Sequence, residues 1–186
     1  MKKTILAALF GLAASAANAV PVQWTTADGG NGNYYEFVST GLNWFDAAAD
    51  AASRTYRGAT GYLVTITSAQ EQQFINGLSG LNNNLYWLGG SDAGSQNNWT
   101  WRTGPEAGQA FTYTNWAPGE PNNFAGILED HVVGGWGNRQ WNDIPGRNTY
   151  AYVVEYTPAP IPLPAGFGLM LTGLGALAFA RRRKPA

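Results

Sequence analysis

From residue 104 to residue 126 the sequence is so rich in glycine, proline and asparagine that it reads as one long loop rather than as a helix or a strand. Regular structure is legible on both sides of it. Residues 22–24 and 34–38 have strand character around the turn-forming run Asp28-Gly29-Gly30-Asn31-Gly32-Asn33. Asn43 is a candidate cap for an alanine-rich helix over 43–52, with Gly58 shortly beyond its end. A strand is expected over 62–67. Ser68-Ala69-Gln70-Glu71 then matches a capping box, in which the Ser and Glu side chains each accept from an otherwise free N–H, opening a second helix that runs to about Leu78. Strand character returns at 85–89, 99–101, 132–133 and 150–156. This order gives a mixed, α+β architecture.

The two ends differ from the middle. Met1-Lys2-Lys3, a mostly small and apolar run over 4–17, and the small-x-small site Ala17-Asn18-Ala19 together read as a secretory signal peptide over 1–19. The segment 158–186 holds Ile161-Pro162-Leu163-Pro164, an uncharged apolar stretch over 165–180 and the basic cluster Arg181-Arg182-Arg183-Lys184. That stretch falls short of the roughly 20 apolar residues of a stable membrane helix. By the positive-inside rule the basic cluster would stay cytoplasmic, which would leave the rest of the chain outside the membrane. Between the ends, residues 20–157 amount to about 140 residues, the size of one domain with a sizeable core.

Every Asp and Glu lies between Asp28 and Glu155, whereas six of the eleven basic residues sit in the two ends. The middle keeps five arginines against twelve carboxylates, a net charge of about −7 concealed beneath a total of −1. A lysine-free acidic domain is a poor nucleic-acid binder and a reasonable cation binder. Export would permit disulfides, yet the chain has no cysteine, so packing and bound metal must carry the stability that cross-links often supply.

Glu120, Asn122, Glu129, Asn142 and Asp143 offer three carboxylates and two amides. Ca²⁺ takes roughly six to eight oxygen ligands of these kinds. Zinc or copper would favour nitrogen and sulfur, and the chain has a single histidine, His131. Glu120-Pro121-Asn122 taken alone also fits an ordinary turn; with Glu129 and the Asn142-Asp143 pair it points to calcium.

Several segments, in order, resemble the C-type lectin domain. Trp44-Phe45-Asp46-Ala47-Ala48 is similar to the family's first helix, and Gly61-Tyr62-Leu63-Val64-Thr65-Ile66-Thr67-Ser68 to its Gly-x-Leu-Ala-x-Ile-x-Ser segment. Tyr86-Trp87-Leu88-Gly89-Gly90 resembles the Trp-Ile-Gly-Leu strand, Tyr113-Thr114-Asn115-Trp116 the start of the long loop, and Trp141-Asn142-Asp143 the Trp-Asn-Asp signature. The resemblance covers nearly all of 20–157. It implies two helices flanking antiparallel sheets and a long calcium-binding loop region. It further implies a primary Ca²⁺ held by Glu120, Asn122, Glu129, Asn142 and Asp143, the last also through its backbone carbonyl, with two vicinal sugar hydroxyls completing the shell. Pro121 would follow a cis peptide bond. Each hydroxyl would give a lone pair to the ion, donate to a carboxylate and accept from an asparagine amide.

Glu-Pro-Asn resembles the family's mannose-type motif, which implies mannose, fucose, glucose or N-acetylglucosamine. Single-site binding would be weak, so useful binding would need several copies facing a repetitive glycan. A second calcium site would draw on Asp92, Gln96, Asn123 and Asp130 together with Glu129, with amides at 96 and 123 where the family usually has acids. Two departures stand out: His131, Gly146 and Val154 match positions normally held by paired cysteines, and the interval from Glu120 to Glu129 is one residue longer than in the family's pattern. The segment 158–186 resembles the PEP-CTERM sorting tail of Gram-negative bacteria, which implies an exosortase-like inner-membrane machinery cutting near the proline-rich motif; a permanent weak anchor is the alternative.

Trp87, Trp116 and Trp141 are expected in the core rather than stacked on sugar, and His131 as a packed neutral side chain. The reading that results is an exported calcium-dependent carbohydrate-binding protein of the cell surface or exopolysaccharide matrix. Its alternative is a structural or adhesive surface protein of the same fold that binds protein. A hydrolase built on His131, Glu129 and Asp130 would lack a second histidine, a nucleophile beside a base and an oxyanion arrangement, so no enzyme is expected.

Overall fold

The structure, a computed structural model, describes residues 19–159. The expected signal peptide and sorting tail, with its apolar stretch 165–180 and basic cluster 181–184, lie outside these residues except for their innermost positions. The elements are β1 (Val22–Gln23), β2 (Tyr34–Leu42), α1 (Trp44–Ser53), β3 (Thr55–Tyr56), β4 (Ala59–Leu63), α2 (Ala69–Asn76), β5 (Tyr86–Ser91), β6 (Thr100–Trp101), β7 (His131–Trp136), β8 (Gln140–Ile144) and β9 (Tyr150–Tyr156).

The main path through the sheet runs β1-β2-β9-β5-β7-β8. β9 is its hub. β2 takes one edge of β9; the other is shared by β4, opposite Val154 to Tyr156, and β5, opposite Ala151 and Tyr152. The β5–β9 pairing is parallel, so strands expected as antiparallel sheets form one mixed sheet.

Period-two alternation sends successive side chains to opposite faces and splits the core in two. Tyr86, Leu88, Val132 and Val153 pack with Ile75 of α2 and with Trp101 and Trp141. Trp87, Val133, Tyr152 and Val154 pack on the other side with Trp44, Ala47 and Ala51 of α1. The alanines of α1 let the helix lie close to the sheet, while Trp44 donates its indole N–H to the Leu88 carbonyl at 2.9 Å.

Both helices start where the local chemistry predicts. The Asn43 side chain accepts from Asp46 N at 3.0 Å and Ser68 from Glu71 N at 3.2 Å, satisfying N–H groups that have no partner within the helix. The reciprocal half of the second capping box is diverted, because Glu71 Oε2 accepts from the backbone N–H of Thr67 at 2.8 Å. This explains why the expected strand over 62–67 stops at Leu63. The N–H of Thr67 serves Glu71 and that of Thr65 serves Glu155 at 3.1 Å, so neither is free for a ladder. Gly58 belongs to the β3–β4 hairpin, where it and Arg57 both have positive φ, 81° and 50°, as a tight two-residue turn requires.

Candidate functional site

The long loop is fastened to β8 by its backbone. Trp141 N–H donates to Asn115 O at 2.7 Å and Ala117 N–H to Trp141 O at 2.9 Å, while Gln140 and Asn115 side chains donate to Trp116 O and Arg139 O, both at 3.1 Å. Trp116, Phe111 and Tyr113 pack against the ring of Trp141. Trp141 and Trp87 are fully buried and Trp116 partly so, as expected of core tryptophans. This lacing brings Glu120 and Asn122 from the loop to Asn142 on β8.

Glu120, Asn122, Glu129 and Asn142 share one cavity of about 300 Å³. The peptide bond between Glu120 and Pro121 is cis, as the resemblance implied. Asp143 lies buried beside them, its carboxylate accepting from Asn122 N at 3.0 Å to each oxygen and from Asn123 N at 2.9 Å to Oδ2. Glu129 Oε2 accepts from Phe124 N at 2.7 Å, and Glu129 N–H donates to Asn123 Oδ1 at 2.8 Å. The five expected residues therefore converge, four at the cavity and one behind it.

Two buried acceptors there have no partner: Glu120 Oε2 and Asn142 Oδ1. Buried polar atoms are nearly always hydrogen-bonded, and one left bare costs about 1–3 kcal/mol. None of the ion pairs among the described residues involves these side chains. Burial, then neighbouring Asp143, then Glu129 push the Glu120 carboxyl above its ordinary range. Burial also raises Glu129, opposed by the Phe124 N–H and reinforced by Asp143. Among the described residues no three His, Asp or Glu side chains form a metal cluster by themselves; here amide oxygens complete the set. An all-oxygen group of like-charged carboxylates with unspent lone pairs suits a hard cation such as calcium.

The second expected set is less convergent. Gln96 Oε1 accepts from Asn123 Nδ2 at 3.2 Å, and Asp92 is buried, with Oδ2 accepting from Asn97 N at 2.8 Å and Oδ1 without a partner. Asp130 Oδ1 is 2.7 Å from His131 Nδ1, so that carboxylate serves the histidine. His131 packs 4.5 Å from the Trp44 ring centroid, and burial lowers its pKa against the pull of Asp130. A Cβ at residue 146 would fall 2.6 Å from His131 Nδ1, so the imidazole fills the space that Gly146 leaves.

Sequence reasoning missed the apolar part of the cavity: Phe124, Trp136 and Ile144. Between Val133 and Trp136 the β7–β8 register shifts by one residue, from Val133 opposite Asn142 to Trp136 opposite Gln140. An inserted residue turns the following side chains to the other face, so Trp136 joins Asn142 and Ile144 instead of Val132. Gly135 makes this possible: its φ is +84°, and a Cβ would lie 2.3 Å from Asn84 O. The available signal was the run Gly134-Gly135-Trp136-Gly137, since glycine inside a strand marks a bulge.

The profile of the lectin C-type domain family matches residues 42–155. Halomucin of Haloquadratum walsbyi is 32% identical over 178 residues, covering 83% of this chain and 2% of halomucin, so the chain spans a small fraction of that relative. The alpha-N-acetylgalactosamine-specific lectin of Patiria pectinifera is 30% identical over 130 residues, 67% of this chain and 74% of that protein. Among solved structures, the C-type lectin CEL-I from Cucumaria echinata superposes with a TM-score of 0.58 at 26% identity, over 68% of this chain and 91% of its own. The match to the profile, over more than half of the sequence and across every element that builds the cavity, shows that this chain belongs to the C-type lectin domain family.

Proposed function

We propose that the protein is an exported, calcium-dependent carbohydrate-binding protein acting at the cell surface or in an exopolysaccharide matrix. The observation that carries this reading is the pair of unpartnered buried oxygens, Glu120 Oε2 and Asn142 Oδ1. Glu120, Asn122, Glu129, Asn142 and Asp143 would hold the ion, which would supply open coordination positions for two adjacent hydroxyls of a sugar. The carboxylates would accept hydrogen bonds from the hydroxyls, and the amide groups of Asn122 and Asn142 would donate to the hydroxyl oxygens.

Membership of the family supports carbohydrate as the ligand class, as does the sugar in the name of the Patiria pectinifera lectin. The Glu-Pro-Asn order favours mannose, fucose, glucose or N-acetylglucosamine. Export rests on residues 1–19 as a signal peptide and 158–186 as a sorting tail. Calorimetric titration of the purified protein with Ca²⁺ and then with these monosaccharides should show saturable binding in that order. Sugar binding that ignores a chelator, or that is absent at saturating calcium, would overturn the proposal.

A further inference from the structure

The cavity has a second wall that cation binding does not explain. Phe124 is 70% exposed and Trp136 38% exposed, and neither belongs to the two core clusters. Large aromatic surfaces in water forgo the gain that burial brings, yet two backbone devices hold these rings at the cavity. The β7 bulge turns Trp136 to the face of Asn142 and Ile144. Phe124 starts a 3₁₀ turn, and its N–H is bonded to Glu129 Oε2 at 2.7 Å. The aromatic wall is thus tied to the residues proposed to hold the ion.

Resting on the carbohydrate reading above, we infer that Phe124 and Trp136 are specificity-determining residues that select sugars bearing a methyl group near the ion-bound diol, over the matching unsubstituted hexoses. The methyl is that of a 6-deoxyhexose or of an N-acetyl group. A diol held at the carboxylate and amide side leaves the rest of the ring to face Phe124, Trp136 and Ile144. Phe124 and Ile144 offer no hydrogen bond, so a hydroxyl pressed against them loses water without replacement, whereas a methyl group gains from the same contact. At about 300 Å³ the cavity is at the small end of ligand pockets, the scale of one sugar ring with its substituents.

Calorimetry on the full chain at saturating calcium compares two matched pairs: 6-deoxy-D-mannose with D-mannose, and N-acetyl-D-glucosamine with D-glucose. The methyl-bearing member of at least one pair should bind about three- to fivefold tighter, the effect of one buried methyl group. The responding pair identifies the source of the methyl. Phe124→Ala and Trp136→Ala should each bring that ratio close to one, with calcium titration in the absence of sugar checking that the ion site persists in both variants. Ratios near one in the unaltered protein for both pairs, or a preference that survives both substitutions, overturn this inference while calcium-dependent binding stands. Failure of all four sugars to bind in a calcium-dependent way overturns the carbohydrate reading, and this inference with it.

Discussion

Two groups of buried carboxylates in this chain are treated in opposite ways. At Glu71 and Glu155 every oxygen is occupied. Glu71 Oε1 accepts from Tyr35 OH at 2.6 Å and Oε2 from Thr67 N at 2.8 Å; Glu155 Oε1 accepts from Asn33 Nδ2 at 2.7 Å and Oε2 from Thr65 N at 3.1 Å. At the cavity, Glu120 Oε2 and Asn142 Oδ1 accept from nothing. Burial raises carboxyl pKa values in both places, pushing Glu155 up to about 8 with Glu71 as the next cause. Burial and like charge therefore do not separate a structural cluster from a candidate ion site. Unspent lone pairs do.

The contrast is sharpest under truncation. Glu155→Ala strips partners from the half-buried Asn33 and the buried Thr65 donors and should lower stability by about 3 kcal/mol in denaturant titration. Glu120→Ala, which removes a repelled carboxylate, should change metal-free stability by less than about 1 kcal/mol. Equal losses would erase the distinction between the clusters. Calcium should reverse the ranking: at a hundredfold excess over Kd it should stabilise the unaltered protein by about 2.7 kcal/mol, and Glu120→Ala should abolish that gain, both read as melting temperatures with and without chelator.

Acidity probes the occupied cluster. Because the folded carboxyl of Glu155 keeps its proton to higher pH than the unfolded chain does, the stability it contributes is complete below the ordinary carboxylate range and lost as pH rises toward about 8. Stability should fall across that window by about 1 kcal/mol per pH unit at its steepest, and Glu155→Gln should flatten the slope; a slope unchanged by the substitution would assign the proton elsewhere. The finest expected effect is on preference. Glu120→Gln combined with Asn122→Asp should move relative affinity toward galactose in a monosaccharide competition series, unless the apolar wall dominates selection.

Features decided within a few residues were legible from sequence. Asn43 and Ser68 cap helices because their side chains reach N–H groups three residues on. The polar ligands were legible as short motifs that imply one chemistry. Features decided by distant partners were not. Thr65 leaves the ladder because of Glu155, ninety residues away. β8 was visible as Trp-Asn-Asp but not as a strand, since its partners are β7 and the loop backbone. Trp136 could be placed only with its register known.

At Gly146 the imidazole of His131 fills the space that a side chain would need, and the chain has no thiol anywhere. The shape of the domain is accordingly indifferent to redox surroundings. Sulfide, glutathione or dithiothreitol would find no bond to reduce, and folding calls for no thiol oxidant or disulfide isomerase.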